Sequence, residues 1–143
     1  MRALLAFALL GAVCTNTPRL RLELTQPAAI TLDTDHGAWA IRGTETAGAV
    51  VSDFYTIASD ARADTDGDPA PIRLGVGVPI GDAVQPLYPV GDAGIIFRDQ
   101  ALGVDASAFS GTLTWNDTRE VLSIDATATT ADATRVVGTL TVE

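Results

Sequence analysis

The feature that most constrains this chain is a two-residue alternation of apolar and polar side chains that recurs along most of its length. Leu20, Leu22 and Leu24 alternate with Arg19, Arg21, Glu23 and Thr25. Ile72, Leu74, Val76, Val78 and Ile80 are separated by Arg73, Gly75, Gly77 and Pro79. Phe109, Gly111, Leu113 and Trp115 stand opposite Ser110, Thr112 and Thr114, and the same pattern runs through Leu122, Ile124, Ala126 and Ala128, and through Val136, Gly138, Leu140 and Val142. Successive side chains of a strand point to opposite faces, so this period describes strands that bury one side. No comparable window carries the i, i+3, i+4, i+7 stripe of an amphipathic helix. One short helical turn near Ile57 to Ala63 is the most helix the sequence predicts.

The punctuation between these segments agrees. Asn116-Asp117-Thr118 and Thr130-Ala131-Asp132 are turn sequences, so residues 109–142 read as a three-stranded antiparallel meander. Further strands are expected near residues 29–34, 37–43, 48–58, 71–78, 84–90 and 94–98. About ten short strands with regularly spaced turns have the rhythm of a sandwich or barrel. The expected fold is therefore all-β, a two-sheet antiparallel β-sandwich with a C-terminal three-stranded meander. The 18 threonines fit this, because their branched side chains suit a pleated strand without exposing much apolar surface. The segment Val50 to Ile57 is apolar on both faces except at Asp53, as in a central strand covered on both sides or a strand whose outer face meets a partner. Prolines concentrate in the middle third, at positions 69, 71, 79, 86 and 89, and predict well-defined loops there.

Composition narrows the function. The chain has no lysine, nine arginines, 18 acids and a formal charge of -9. Nucleic-acid binding needs clustered cations to displace phosphate counterions, so no nucleic-acid partner is expected. A single cysteine excludes a disulfide framework and a four-thiolate zinc site, and a single histidine excludes poly-histidine metal chemistry.

The lone cysteine has a distinctive setting. Met1-Arg2 is a minimal positive start, Ala3 through Val13 are uncharged and almost wholly apolar, and Cys14 is followed by the polar Thr15-Asn16-Thr17-Pro18. Eleven apolar residues match a signal-peptide core and fall short of the roughly 20 that span a bilayer as a helix. The run Leu10-Gly11-Ala12-Val13-Cys14 resembles the box that ends the signal of bacterial lipoproteins, with Val13 and Gly11 departing from the usual residues. The resemblance covers a tenth of the chain. It implies that Cys14 carries the lipid as the first mature residue. Residues 1–14 are then a signal with its lipidation site, 15–18 a tether, and 19–143 the sandwich domain. The implied location is the cell envelope, anchored on the periplasmic or extracellular side through lipid on Cys14 alone, because so acidic a surface repels anionic membranes. An ordinary secretory signal, cleaved without lipid, is the competing reading.

Two polar clusters carry candidate chemistry. Asp64, Asp66 and Asp68 alternate around Gly67, with Asp60 just before them. This segment resembles the opening of the EF-hand loop, whose hard oxygens suit calcium. Its sixth position is Pro69 and its twelfth is Gly75, so a full EF-hand is excluded. Calcium held by Asp64, Asp66, Asp68 and Asp60 is the one cofactor reading, against a solvated acidic loop with no cofactor. Asp33-Thr34-Asp35-His36 offers two carboxylates and an imidazole for a metal, or a turn leading into Gly37 with His36 at its tip.

Enzyme motifs are missing. There is no Gly-x-Ser-x-Gly elbow, no Cys–His pair outside the export segment and no lysine for Schiff-base chemistry. Gly75, Gly77 and Gly81 lack dinucleotide-binding spacing. Trp39 shares a face with Ile41, and Trp115 with Leu113 and Phe109, so both read as packing residues before sugar platforms. The expectation is a non-catalytic binding or structural module of the cell envelope with an unidentified protein or glycan partner. The alternatives are a calcium-stabilised extracellular binding domain and a carboxylate-dependent hydrolase.

Overall fold

The computed structural model describes residues 18–59, 71–88, 93–130 and 132–143. It is a β-sandwich of two antiparallel sheets, with no α-helix among the described residues. The strands are β1 (Leu20–Gln26), β2 (Ile30–Asp33), β3 (Trp39–Ala47), β4 (Val50–Ala58), β5 (Ile72–Pro79), β6 (Val84–Leu87), β7 (Gly94–Asp99), β8 (Val104–Ala106), β9 (Phe109–Trp115), β10 (Val121–Ala128) and β11 (Arg135–Val142). One sheet has six strands in the order β2-β1-β11-β10-β9-β6, the other five in the order β3-β4-β5-β7-β8.

The alternation read from the sequence sets the inner faces. Leu20, Leu22 and Leu24 are buried along β1, and Leu113, Leu122, Ile124, Val136 and Leu140 line the meander β9-β10-β11. They pack against Tyr55, Ile57, Leu74, Val76, Val78, Ile95 and Phe97 of the facing sheet in one continuous core. Trp115 lies in this core with its ring edge-to-face with Tyr55, centroids 6.0 Å apart. The expected fifth inner residue of β5, Ile80, instead lies beyond the strand end and is 59% exposed.

β4 is buried on both faces, as its sequence predicts. Tyr55 and Ile57 face the main core. Phe54 and Ala58, of opposite parity, pack on the other side of the sheet, Phe54 with Ile41 and Ile96, Ala58 with Trp39. Trp39 and Ile41 are thus packing residues, but on the face turned away from the second sheet. The Arg73 guanidinium lies 5.9 Å above the Trp39 ring.

Two elements differ from expectation. The strand β8 went unforeseen because three residues, Val-Asp-Ala, carry too little alternation to detect. Its cause is local: the buried Asp99 carboxylate accepts the Leu102 N–H at 3.2 Å, Gly103 takes a left-handed φ of 68°, and the chain folds back onto β7. The helical turn expected near residue 57 is absent from the described part of that segment, because Ile57 and Ala58 continue β4; residues 60–63 lie outside the described residues. A 3-10 turn, Thr34–His36, joins β2 to β3.

Two glycines set how closely strands of the larger sheet approach. Gly138 pairs with Leu24 on one side and Ile124 on the other, and a Cβ there would stand 2.1 Å from the Glu23 carbonyl. The β1–β11 register shifts between Leu24 and Gln26, next to this contact. Gly111 combines φ 132° with a Cβ position 2.1 Å from the Asp125 carbonyl. Backbone cannot yield as a flexible side chain does, so Gly138→Ala is expected to destabilise the fold by about 2 kcal/mol or more. Urea unfolding should show the lower midpoint with an unchanged slope.

Candidate functional site

The described residues form a cleft with both apolar and polar walls at the point where the chain leaves β5 and enters β6 on the other sheet. Its construction begins with the turn at residues 80–83. The Ile80 N–H donates to the Val51 carbonyl at 2.8 Å, and the Trp115 N–H donates to the Ala83 carbonyl at 2.8 Å. The Gln85 side-chain amide donates to the Asp82 carbonyl at 2.9 Å. From the β9–β10 hairpin the Arg119 guanidinium donates to the Gly81 carbonyl. Gly81, at φ 142°, takes a backbone conformation that side-chain-bearing residues rarely adopt.

The resulting cleft holds about 490 Å³, with walls from the start of β4, the β5–β6 turn, Tyr88 and Ala93. Val51, Ile80 and Tyr88 line it at 38%, 59% and 61% exposure, between Pro79 and Pro86. They are three of the five most exposed large apolar side chains among the described residues, and a fourth, Val84, stands on the adjoining strand. Asp82 brings the one charged side chain of the lining. Pro86 fits in β6 because the bond from Trp115 to Ala83 sets the alternation: Ala83, Gln85 and Leu87 address β9, and Pro86 turns its nitrogen to the open edge. A surface of this kind, with Val51, Ile80 and Tyr88 beside Gln85 and Asp82, can cover an apolar group and offer polar contacts next to it. Sequence reasoning missed the cleft. The available signals were the prolines at 79 and 86 and the displacement of Ile80 past the end of its strand.

The Asp33–His36 cluster lies at the opposite edge of the larger sheet. Asp33 caps the 3-10 turn, its Oδ1 accepting the Asp35 N–H at 2.9 Å, and Gly37 ends the turn at φ 97°. The other carboxylate oxygen lies 3.3 Å from His36 Nδ1 and 3.8 Å from the Arg21 guanidinium. His36 is exposed at the tip, Arg19 lies 3.8 Å from Asp35, and the Leu20 N–H donates to Thr34 Oγ1 at 3.1 Å. The side chains therefore build the turn. Among the described residues no group of three His, Cys, Asp or Glu side chains is placed to hold a metal.

Asp53 sits half-buried in β4, accepting a hydrogen bond from Thr44 Oγ1 at 3.3 Å. Burial raises the Tyr55 hydroxyl pKa above its ordinary value, and the Asp53 charge adds to this while Arg42, 5.6 Å from the ring centroid, partly offsets it. The expected turn Asn116-Asp117-Thr118 joins β9 to β10, where Asn116 Oδ1 accepts the Glu120 and Val121 N–H groups at 2.9 and 3.0 Å. Cys14 and the aspartates Asp60, Asp64, Asp66 and Asp68 lie outside the described residues.

The Asp33 carboxyl titrates below the usual 3.8, chiefly because the Asp35 N–H stabilises its charged form, aided by His36 and Arg21. A carboxyl lowered in the folded state adds stability above its unfolded pKa, and loses it as pH falls through the folded value. Asp33→Asn is therefore expected to melt below the parent at pH near 6, with the two melting temperatures converging as the pH falls through the lowered Asp33 value. Comparison with known protein families, with curated proteins and with solved structures finds no match to this chain.

Proposed function

We propose that this chain is an exported, lipid-anchored, non-catalytic binding module of the cell envelope that takes an apolar segment of a partner protein into the cleft at the β5–β6 crossing. The observation that carries the reading is the concentration of exposed apolar side chains, Val51, Ile80 and Tyr88, around one rigid cleft of a protein otherwise covered with threonine and acids. Large apolar groups scattered singly need no explanation, whereas a cluster around a concavity marks a place meant to be covered. Covering 100 Å² of such surface contributes about 2.5 kcal/mol before the cost of association. A protein segment suits a lining in which Tyr88, the exposed aromatic among the described residues, stands with prolines and aliphatic side chains beside Gln85 and Asp82. Asp82 at the rim favours a segment with a positive charge beside its apolar residues.

The anchor rests on the order apolar core, cysteine, polar spacer in residues 3–18, and on the acidity of the remaining chain. No helix among the described residues is long and apolar enough to cross a membrane. Cys14→Ala is expected to move the protein from the membrane fraction to the soluble fraction; a variant that stays membrane-bound removes Cys14 as the anchor. The cleft is read with a neutral solvatochromic dye such as Nile red. The folded protein should enhance its fluorescence, and the double variant Ile80→Ser, Tyr88→Ser should cut that enhancement severalfold with the melting temperature preserved. An equal response from both proteins would remove the cleft from this reading.

A further inference from the structure

The sheet edges of this protein are unequal. β2 and β6 have four residues each, β6 carries Pro86, and β8 has three residues. Shortness, proline and charged side chains are among the usual ways in which an edge is kept from pairing with another chain. β3 is neither short nor interrupted by proline, and its charged residues are Arg42 and Glu45. It runs for nine residues without proline, and its register with β4 is continuous from Trp39 to Ala47.

The direction of its backbone groups follows from the neighbouring bonds. Ile80 N–H donates to Val51 O, and Ser59 N–H donates to Ile72 O, so the odd-numbered residues of β4 address β5 and the even-numbered ones address β3. Through the pairs Ala47↔Val50 to Trp39↔Ala58, the odd-numbered residues of β3 bond to β4. Ala40, Arg42, Thr44 and Thr46 then turn their N–H and C=O groups to the outer edge. No described strand pairs there.

We propose that this edge receives a second copy of the same chain, β3 against β3 in antiparallel register about a two-fold axis at Gly43. Three registers near the middle of the strand keep outward groups opposite outward groups. One sets Arg42 against Arg42, a repulsive pair. Another sets Gly43 against Glu45 and Arg42 against Thr46. The third sets Gly43 against Gly43, Arg42 against Thr44 and Ala40 against Thr46. In this third register one row runs from Arg42 of one copy over Thr44 to Asp53 of the other, because Thr44 pairs with Asp53 and donates to it at 3.3 Å. Two strand spacings are about 10 Å, a span that an arginine and an aspartate side chain close between them. The symmetry repeats the pair, so opposite charges meet twice on the face shared by Arg42, Thr44 and Asp53. This self-complementarity favours a copy of the chain over an unrelated extended segment.

The test uses the full chain with Cys14→Ser, so that no other thiol is present. Sedimentation equilibrium is expected to show a dimer. Thr44→Pro deletes an outward N–H that β4 does not use, and is expected to yield a monomer with the parent's strand signature in circular dichroism. Gly43→Cys is expected to form a disulfide-linked dimer under mild oxidation, since facing residues of a non-hydrogen-bonded pair lie about 4.5 Å apart between Cα atoms, within disulfide reach. Arg42→Glu is expected to weaken association at least tenfold. A parent that stays monomeric at the highest attainable concentration overturns the proposal. So does a dimer that survives Thr44→Pro, or a dimer in which Gly43→Cys fails to cross-link.

Discussion

The structure depends on how one short segment is held where the chain passes between sheets. Residues 80–83 are bonded on one side to Val51 of the five-stranded sheet and on the other to Trp115 of the six-stranded sheet. Arg119 reaches from a third element to hold Gly81. The segment thus ties the start of β4 to the end of β9, and its neighbour Trp115 places an indole against Tyr55 in the core. Core packing and cleft share this framework. The cleft walls are rigid because the bonds that align the sheets are the bonds that shape the cleft.

Most of the fold was legible in the sequence, because each inner face is written as alternate apolar residues. Leu20, Leu22 and Leu24, or Leu122, Ile124 and Ala126, leave no other assignment for a half-buried strand. The meander was visible from its turns, and β4 from an apolar segment with no exposed side. What escaped is either too short to show a period or depends on contacts between distant residues. β8 exists because Asp99 and Gly103 reverse the chain, and three residues cannot announce a period. Ile80 continues the alternation of β5 on paper, yet the backbone has already turned toward β6, so the same residue becomes an exposed wall of the cleft. The cleft is assembled from three separate stretches of chain, and no local pattern encodes their convergence. Trp39 was correctly read as a packing residue, but the face on which it packs is set by pairing with Ala58 and could not be told from parity alone.

Charged side chains here act both on the backbone and on one another. Asp33 and Asp99 hold turns through N–H groups, and Asn116 does the same without charge. Exposed pairs such as Arg21–Glu23 at 2.8 Å and Arg135–Asp125 at 2.7 Å lie on the solvent face of the larger sheet, where each is worth at most about 1 kcal/mol. A chain with a large acidic excess and no lysine thus uses acids locally, in turns and in exposed pairs, and leaves its cohesion to apolar contact between the sheets.

The inequality of the strand edges bears on how association ends. A molecule with two long, unguarded edges can add neighbours on both sides without limit, as fibrils do. Here the edge of β8 is only three residues long, and Pro86 interrupts the outer edge of β6. Growth by backbone pairing is therefore terminated after one step: the long edge is consumed by the first partner, and what remains on the outside is too short or too interrupted to template another. The arrangement separates pairing from polymerisation, and a protein concentrated at a surface would benefit from that separation.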